Sequence, residues 1–195
     1  YDRAVNLSTA GLSYRRSYMA YETTSALWPI TRINETSHPH AIRTELDLAK
    51  NALRDTLART PNYLRASLML ARVYQVESRL FQPNSIVDAR TVLEKSIAMY
   101  PNNPLPHWAL ASVLIEQGDS QNTLTQMRVA YDLNPNNPKA HINQFIIAHL
   151  MLEEADATAL MTQSIQYFPE LTEELQNIAS VPKQNGRLQL LNMLY

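Results

Sequence analysis

Tyr100-Pro101-Asn102-Asn103-Pro104 returns as Asn134-Pro135-Asn136-Asn137-Pro138, and Tyr167-Phe168-Pro169 follows, so that Pro101, Pro135 and Pro169 stand 34 residues apart each time. A fixed period of roughly 20–50 residues is the signature of a chain built from stacked structural repeats. Working upstream, Pro61 in Thr60-Pro61-Asn62-Tyr63 precedes Pro101 by 40 residues, which is one period plus an insertion of six. Asn103-Pro104 and Asn137-Pro138 place asparagine at a helix N-cap and proline at the first helical position, where a missing N–H costs nothing.

Each period reads as two helices. Trp108, Ala111 and Ile115 recur at i, i+3 and i+7 with Leu110 and Leu114 beside them, and Gly118-Asp119 breaks the run. Leu124, Met127 and Tyr131 then form a second apolar stripe, with Asp119 placed to cap it. One such hairpin buries little apolar surface alone, so its neighbours must complete the core.

The composition agrees with an all-helical chain. Of 195 residues 45% are apolar, enough for a sizeable core, while only 3 are glycine, about a quarter of average usage. Glycine-loop phosphate sites and repeated primed hairpins need more. The absence of cysteine excludes disulfides, thiolate metal sites and a cysteine nucleophile. A net charge of -1 provides no field to recruit nucleic acid or an anionic membrane. No run approaches the roughly 18 apolar residues of a membrane span.

These residues resemble the tetratricopeptide repeat. In the unit opening at Pro104, Leu110-Ala111, Leu114, Gly118, Met127, Ala130 and Pro135 fit the family pattern, and Thr123 stands where alanine is usual. In the preceding unit Leu70-Ala71, Tyr74, Ala89, Leu93, Ser96 and Pro101 fit. The six extra residues fall around Arg79–Ser85, and Ser85-Ile86-Val87-Asp88 reads as a capping box that restarts the helix. The unit opening at Pro138 keeps Ala157, Met161, Ser164 and Pro169, but has Gln144-Phe145 for the large–small pair and Leu152 for the turn glycine. In the first unit Ala49, Leu53, Thr56 and Pro61 match, and Met19-Ala20 can supply the large–small pair. About 17 surplus residues lie between them, including Trp28-Pro29 and Ser37-His38-Pro39, with a new helix expected near Pro39.

The resemblance implies a right-handed α-solenoid of stacked antiparallel helix pairs, expected as one domain over 1–195. Residues 1–9 would be the end of an upstream repeat, with Ala4 at its small position and Gly11 following it, and 10–61 a stretched first unit. Residues 62–101, 102–135 and 136–169 would be repeats. Residues 170–195 would cap the stack, first through Leu171, Leu175 and Ile178, then, after a break from Pro182 to Gly186, through a short helix at Arg187–Tyr195. The mid-repeat start without methionine suggests a fragment of a longer protein.

The resemblance also implies a concave groove lined by the first helix of each pair. Carried over, its positions are Arg65, Leu68, Arg72 and Gln75; Leu105, Trp108, Ser112 and Ile115; Lys139, Ile142, Ile146 and His149; and Tyr14, Ser17 and Tyr21 in the stretched unit. Trp108 suits either the groove or the contact between units, and Ile142 and Ile146 suit the core. Leu68 and Arg72 replace residues of the carboxylate clamp found in chaperone-binding members, so a chaperone tail is disfavoured. Trp, Tyr and Arg are the types that carry binding energy at interfaces.

No catalytic constellation stands out. His38-Pro39-His40, or His141 and His149 with Glu153, would make a poor metal site. Glu153-Glu154 and Glu173-Glu174 project about 100° apart on a helix and cannot converge on one bond. No nucleotide loop, nucleophile elbow or zincin helix is present. The expectation is a non-enzymatic scaffold that binds a protein or peptide, takes no cofactor or metal, contacts no nucleic acid and inserts no segment into a membrane. The alternative is the soluble accessory domain of a larger membrane-bound enzyme, such as a bacterial glycan polymerase or O-antigen-ligase-like protein.

Overall fold

The structure is a computed structural model that describes residues 39–183 and 186–194. The expectations for Tyr14, Ser17, Tyr21, Gly11, Met19-Ala20, Trp28-Pro29, His38 and the repeat end at 1–9 lie outside the described residues. The described residues form helices and no strand: α1 (Pro39–Arg59), α2 (Leu64–Leu80), α3 (Ser85–Met99), α4 (Pro104–Gln117), α5 (Ser120–Leu133), α6 (Pro138–Met151), α7 (Glu154–Tyr167), a 3-10 helix (Pro169–Leu171), α8 (Thr172–Ala179) and α9 (Arg187–Met193). They group into two compact units that divide between Val92 and Leu93.

In the first unit α1 and α2 pack as a hairpin, antiparallel because only residues 60–63 connect them. Ile42, Leu46, Ala49, Leu53 and Thr56, alternating at spacings of four and three, form the buried stripe of α1. They share the core with Ala66, Leu70, Ala71, Val73 and Tyr74 of α2. Polar groups tie the pair together. Lys50 Nζ bonds to Glu77 and lies 2.9 Å from Asp47, while Arg54 Nη2 donates to the Tyr74 hydroxyl at 2.6 Å. The Ser85 hydroxyl, at the start of α3, donates to the buried carboxylate of Glu77 at 2.9 Å. A buried carboxylate oxygen without a donor is costly, and this bond removes that cost.

The inserted residues around Arg79–Ser85 are spread over three places. Three lengthen α2 to 17 residues against 14 in α4, one lengthens α3 to 15 against 14 in α5, and two enlarge the connection. Lengthening a helix in this way keeps its hydrogen-bond ladder intact.

In the second unit α4 and α5, α5 and α6, and α6 and α7 pack successively. Asn103 and Asn137 accept from the N–H groups of Leu105 and Lys139, each at 3.0 Å, with proline at the first helical turn. Asp119 caps α5 by accepting from Asn122 N–H. Thr123, unusual at its position, is buried and donates its hydroxyl to the Asp119 carbonyl at 2.8 Å, so a polar residue there leaves no open donor. Gly118 closes α4 at φ 75°, the left-handed cap that favours glycine. A Cβ at Gly118 would meet nothing within 4 Å, so Gly118→Ala carries only the backbone cost, about 1 kcal/mol, read as a lowered urea midpoint. Where the family glycine is replaced by Leu152, α6 ends in extended backbone instead.

The two kinds of helix differ in burial. In α5 only Thr123, Met127 and Ala130 are buried, and in α7 only Ala157 and Ser164. By contrast, every residue from Pro106 to Ile115 in α4 is buried, as are Ala140–Asn143 and Phe145–Ala148 in α6. A helix apolar around its whole circumference requires cover on every side. On α6 that cover includes α8 and α9.

Candidate functional site

The groove positions separate sharply by burial. In the first unit Arg65 is exposed, Leu68 and Arg72 are half-buried, and Gln75 is buried. In the second unit Leu105 is exposed, but Trp108 is only 2% exposed, and Ser112, Ile115, Ile142 and Ile146 are buried with it. The last five belong in this structure to the interior rather than to an open groove. Trp108, Ile115, Ile142 and Ile146 share one hydrophobic cluster with Leu175, Ile178, Leu190, Leu191 and Leu194. The C-terminal segment therefore contributes to the very core in which these groove positions lie.

Polar contacts fix that segment in place. Lys139 Nζ donates to the Met193 carbonyl at 3.0 Å, and His149 Nε2 donates to the Val181 carbonyl at 3.0 Å. In the other direction Arg187 Nη2 donates to Ile115 O at 2.7 Å and Lys183 Nζ to Leu152 O at 3.0 Å. Ile115 lies in the last turn of α4, and Leu152 is the C-cap of α6. Both cations thus meet carbonyls at a helix C-terminus, the negative end of the helix dipole. Lys139 and His149, expected to face a partner, here hold the chain's own backbone.

A second feature escaped the sequence reading. His107 and His141 lie 34 residues apart and are both buried. His107 Nε2 faces Pro101 O at 3.3 Å, and His141 Nε2 faces Pro135 O at 3.0 Å. His107 Nδ1 also lies 2.8 Å from Gln126 Oε1. A carbonyl only accepts, so Nε2 carries the hydrogen in His141. His141 Nδ1 then takes the Ser164 hydroxyl at 3.1 Å, and the ring packs edge-on against Tyr131 and Phe168. Each histidine ties the Asn-Pro junction to the helix that follows it. The 34-residue spacing was the available signal. His141 and His149 use their nitrogens separately in this way, and among the described residues no three potential metal ligands converge. No helix among them is long and apolar enough to cross a membrane.

No protein-family model and no characterised protein matches the sequence. Solved structures do match its fold. A thermophilic TPR protein of Thermus thermophilus superposes with a TM-score of 0.59 at 17% identity, over 86% of this chain and 95% of that one. An O-GlcNAc transferase mutant from Thermobaculum terrenum superposes with a TM-score of 0.54 at 18% identity, over 77% of this chain. The chain spans about a quarter of that enzyme's length, 27%. MamA superposes with a TM-score of 0.50 at 18% identity, over 82% of this chain and 94% of that one. The helix pairs are those of the tetratricopeptide-repeat fold, and the α-solenoid class read from the 34-residue period is the class observed.

Proposed function

We propose that the chain is a non-catalytic protein-interaction scaffold that binds a peptide segment or partner helix on the faces of its first helices. The observation that carries this reading is the seating of residues 181–183 and 186–194 against the helices of the second unit, with Lys139 and His149 of α6 donating to the main-chain carbonyls of Met193 and Val181. Contacts of that kind recognise a peptide backbone, which any partner segment offers. In the first unit the corresponding face of α2 carries Arg65, which is exposed, and Leu68 and Arg72, which are half-buried.

Selection of peptides from a displayed library against the full chain tests the reading. Bound peptides are expected to protect α2 amides from hydrogen exchange, and Arg65→Glu together with Arg72→Glu should weaken them at least ten-fold. Unchanged binding to that double variant would remove the α2 face from the proposal.

A second reading makes the chain the accessory repeat domain of a larger glycan polymerase or O-antigen-ligase-like enzyme whose catalytic part lies outside these residues. It is favoured by the recurrence of the fold inside a much longer O-GlcNAc transferase. The sequence preceding Tyr1 decides between them: several apolar segments of about 20 residues support the enzyme, and further 34-residue repeats support the scaffold.

A further inference from the structure

We infer that the α4–α6 face of the second unit is a docking site for a leucine-rich amphipathic helix with a basic residue at its start, and that α9 occupies it as a displaceable internal ligand. The inference rests on the scaffold reading and adds to it the chemistry of the partner and a mode of control.

The occupant shows what the site accepts. Leu190, Leu191 and Leu194 lie at i, i+1 and i+4 and are all buried, the anchor spacing of a helix laid into an apolar groove. Arg187, one turn ahead of Leu191, donates to the Ile115 carbonyl. A partner helix needs the same two elements, an apolar triplet and a preceding cation for the carbonyl end of α4. Lys139 contributes a hydrogen bond to the occupant's backbone, which makes no demand on its side chains.

The occupant is also replaceable. With seven residues, α9 is too short to persist as a helix away from the surface that supports it. At its N-cap, Gly186 donates to the Pro182 carbonyl at 2.8 Å, and a Cβ there would lie 2.1 Å from Val181 Cγ1 and 2.8 Å from that carbonyl. What holds α9 in place is in part its tether, because an attached segment competes at an effective concentration in the millimolar range.

A fluorescein-labelled peptide of residues 186–195, titrated by anisotropy into the full chain, tests this directly. Leu190→Asp with Leu194→Asp in the full chain unseats α9, and the peptide is expected to bind that variant at least ten-fold more tightly than the unaltered chain. Changing Arg187 to glutamate in the peptide should weaken this binding about ten-fold. Equal affinity for both chains, or no binding to a variant that retains its helical circular dichroism, overturns the inference. Should the double variant lose its fold, Gly186→Ala provides the second arm, with the same gain in peptide affinity expected and its absence counting against the site. A dimer in light scattering that the peptide fails to dissociate also overturns it, since α9 would then belong to a neighbouring copy. Arg65→Glu with Arg72→Glu leaves this peptide's affinity unchanged. The α2 face and the α4–α6 face can therefore fail independently.

Discussion

Replacing Phe145 with alanine is expected to destabilise the second unit by about 3–5 kcal/mol, the usual cost of emptying a large aromatic site in a packed core. Phe145 is 2% exposed and shares its cluster with Ile142, Ile146 and Leu175, with its ring centroid 5.8 Å from that of His149. Neighbouring helices cannot collapse into the space without losing their own contacts, so the cavity term adds to the transfer term. Hydrogen exchange in α6 and α7 under increasing urea reads the loss. A change below about 1 kcal/mol would show that the ring is not packed as described. The substitution also addresses the sequence oddity at Gln144-Phe145. A phenylalanine where the repeat expects a small residue is accommodated in α6, the helix against which α8 and α9 pack in place of a further regular pair.

Replacing Glu77 with alanine is expected to destabilise the first unit by about 2 kcal/mol, because it takes the acceptor from a buried hydroxyl and leaves a partly buried ammonium with Asp47 alone. Glu77 Oε2 takes the Ser85 hydroxyl, and its other oxygen takes Lys50 Nζ, whose side chain is 13% exposed. Glu77→Gln should cost less, since the amide keeps its shape and one acceptor. The pair also predicts a pH dependence. Burial alone would lower the Lys50 pKa, but the hydrogen bonds to Glu77 and Asp47 and their charges outweigh it, so the value is raised. A raised folded-state value means that this stabilisation is complete below the unfolded lysine pKa of about 10.4 and is lost as pH rises through the folded one. Denaturant midpoints measured from pH 9 to 12 should therefore fall more steeply in the unaltered chain than in Lys50→Met. Parallel curves would show that the pair contributes nothing to the alkaline limb.

Much of the fold was legible because its signals are local. Asn103 and Asn137 act on N–H groups two residues ahead, Gly118 sets the backbone angle of its own turn, and the stripe from Leu46 to Leu53 follows from 3.6 residues per turn. The groove was less legible. Family position assigned Trp108, Ser112, Ile115, Ile142 and Ile146 to a face, but position along a repeat does not say whether that face is open. A local signal was nonetheless present. In α4, Pro104–Gln117, only the last two residues, Glu116 and Gln117, interrupt an otherwise apolar or small run beyond His107 and Ser112, which leaves no polar stripe to meet water.

The period, the helix boundaries and the fold class follow from the order of residues alone, since each depends on residues within a turn or two of one another and on a spacing that repeats. Closure of the α4–α6 face by α9 is a matter of tertiary packing. The contacts that achieve it join residues 54 and 72 positions apart, Lys139 to Met193 and Arg187 to Ile115. No periodicity encodes such a pairing. It forms because two apolar helices need cover and a short leucine-bearing segment lies within reach to supply it.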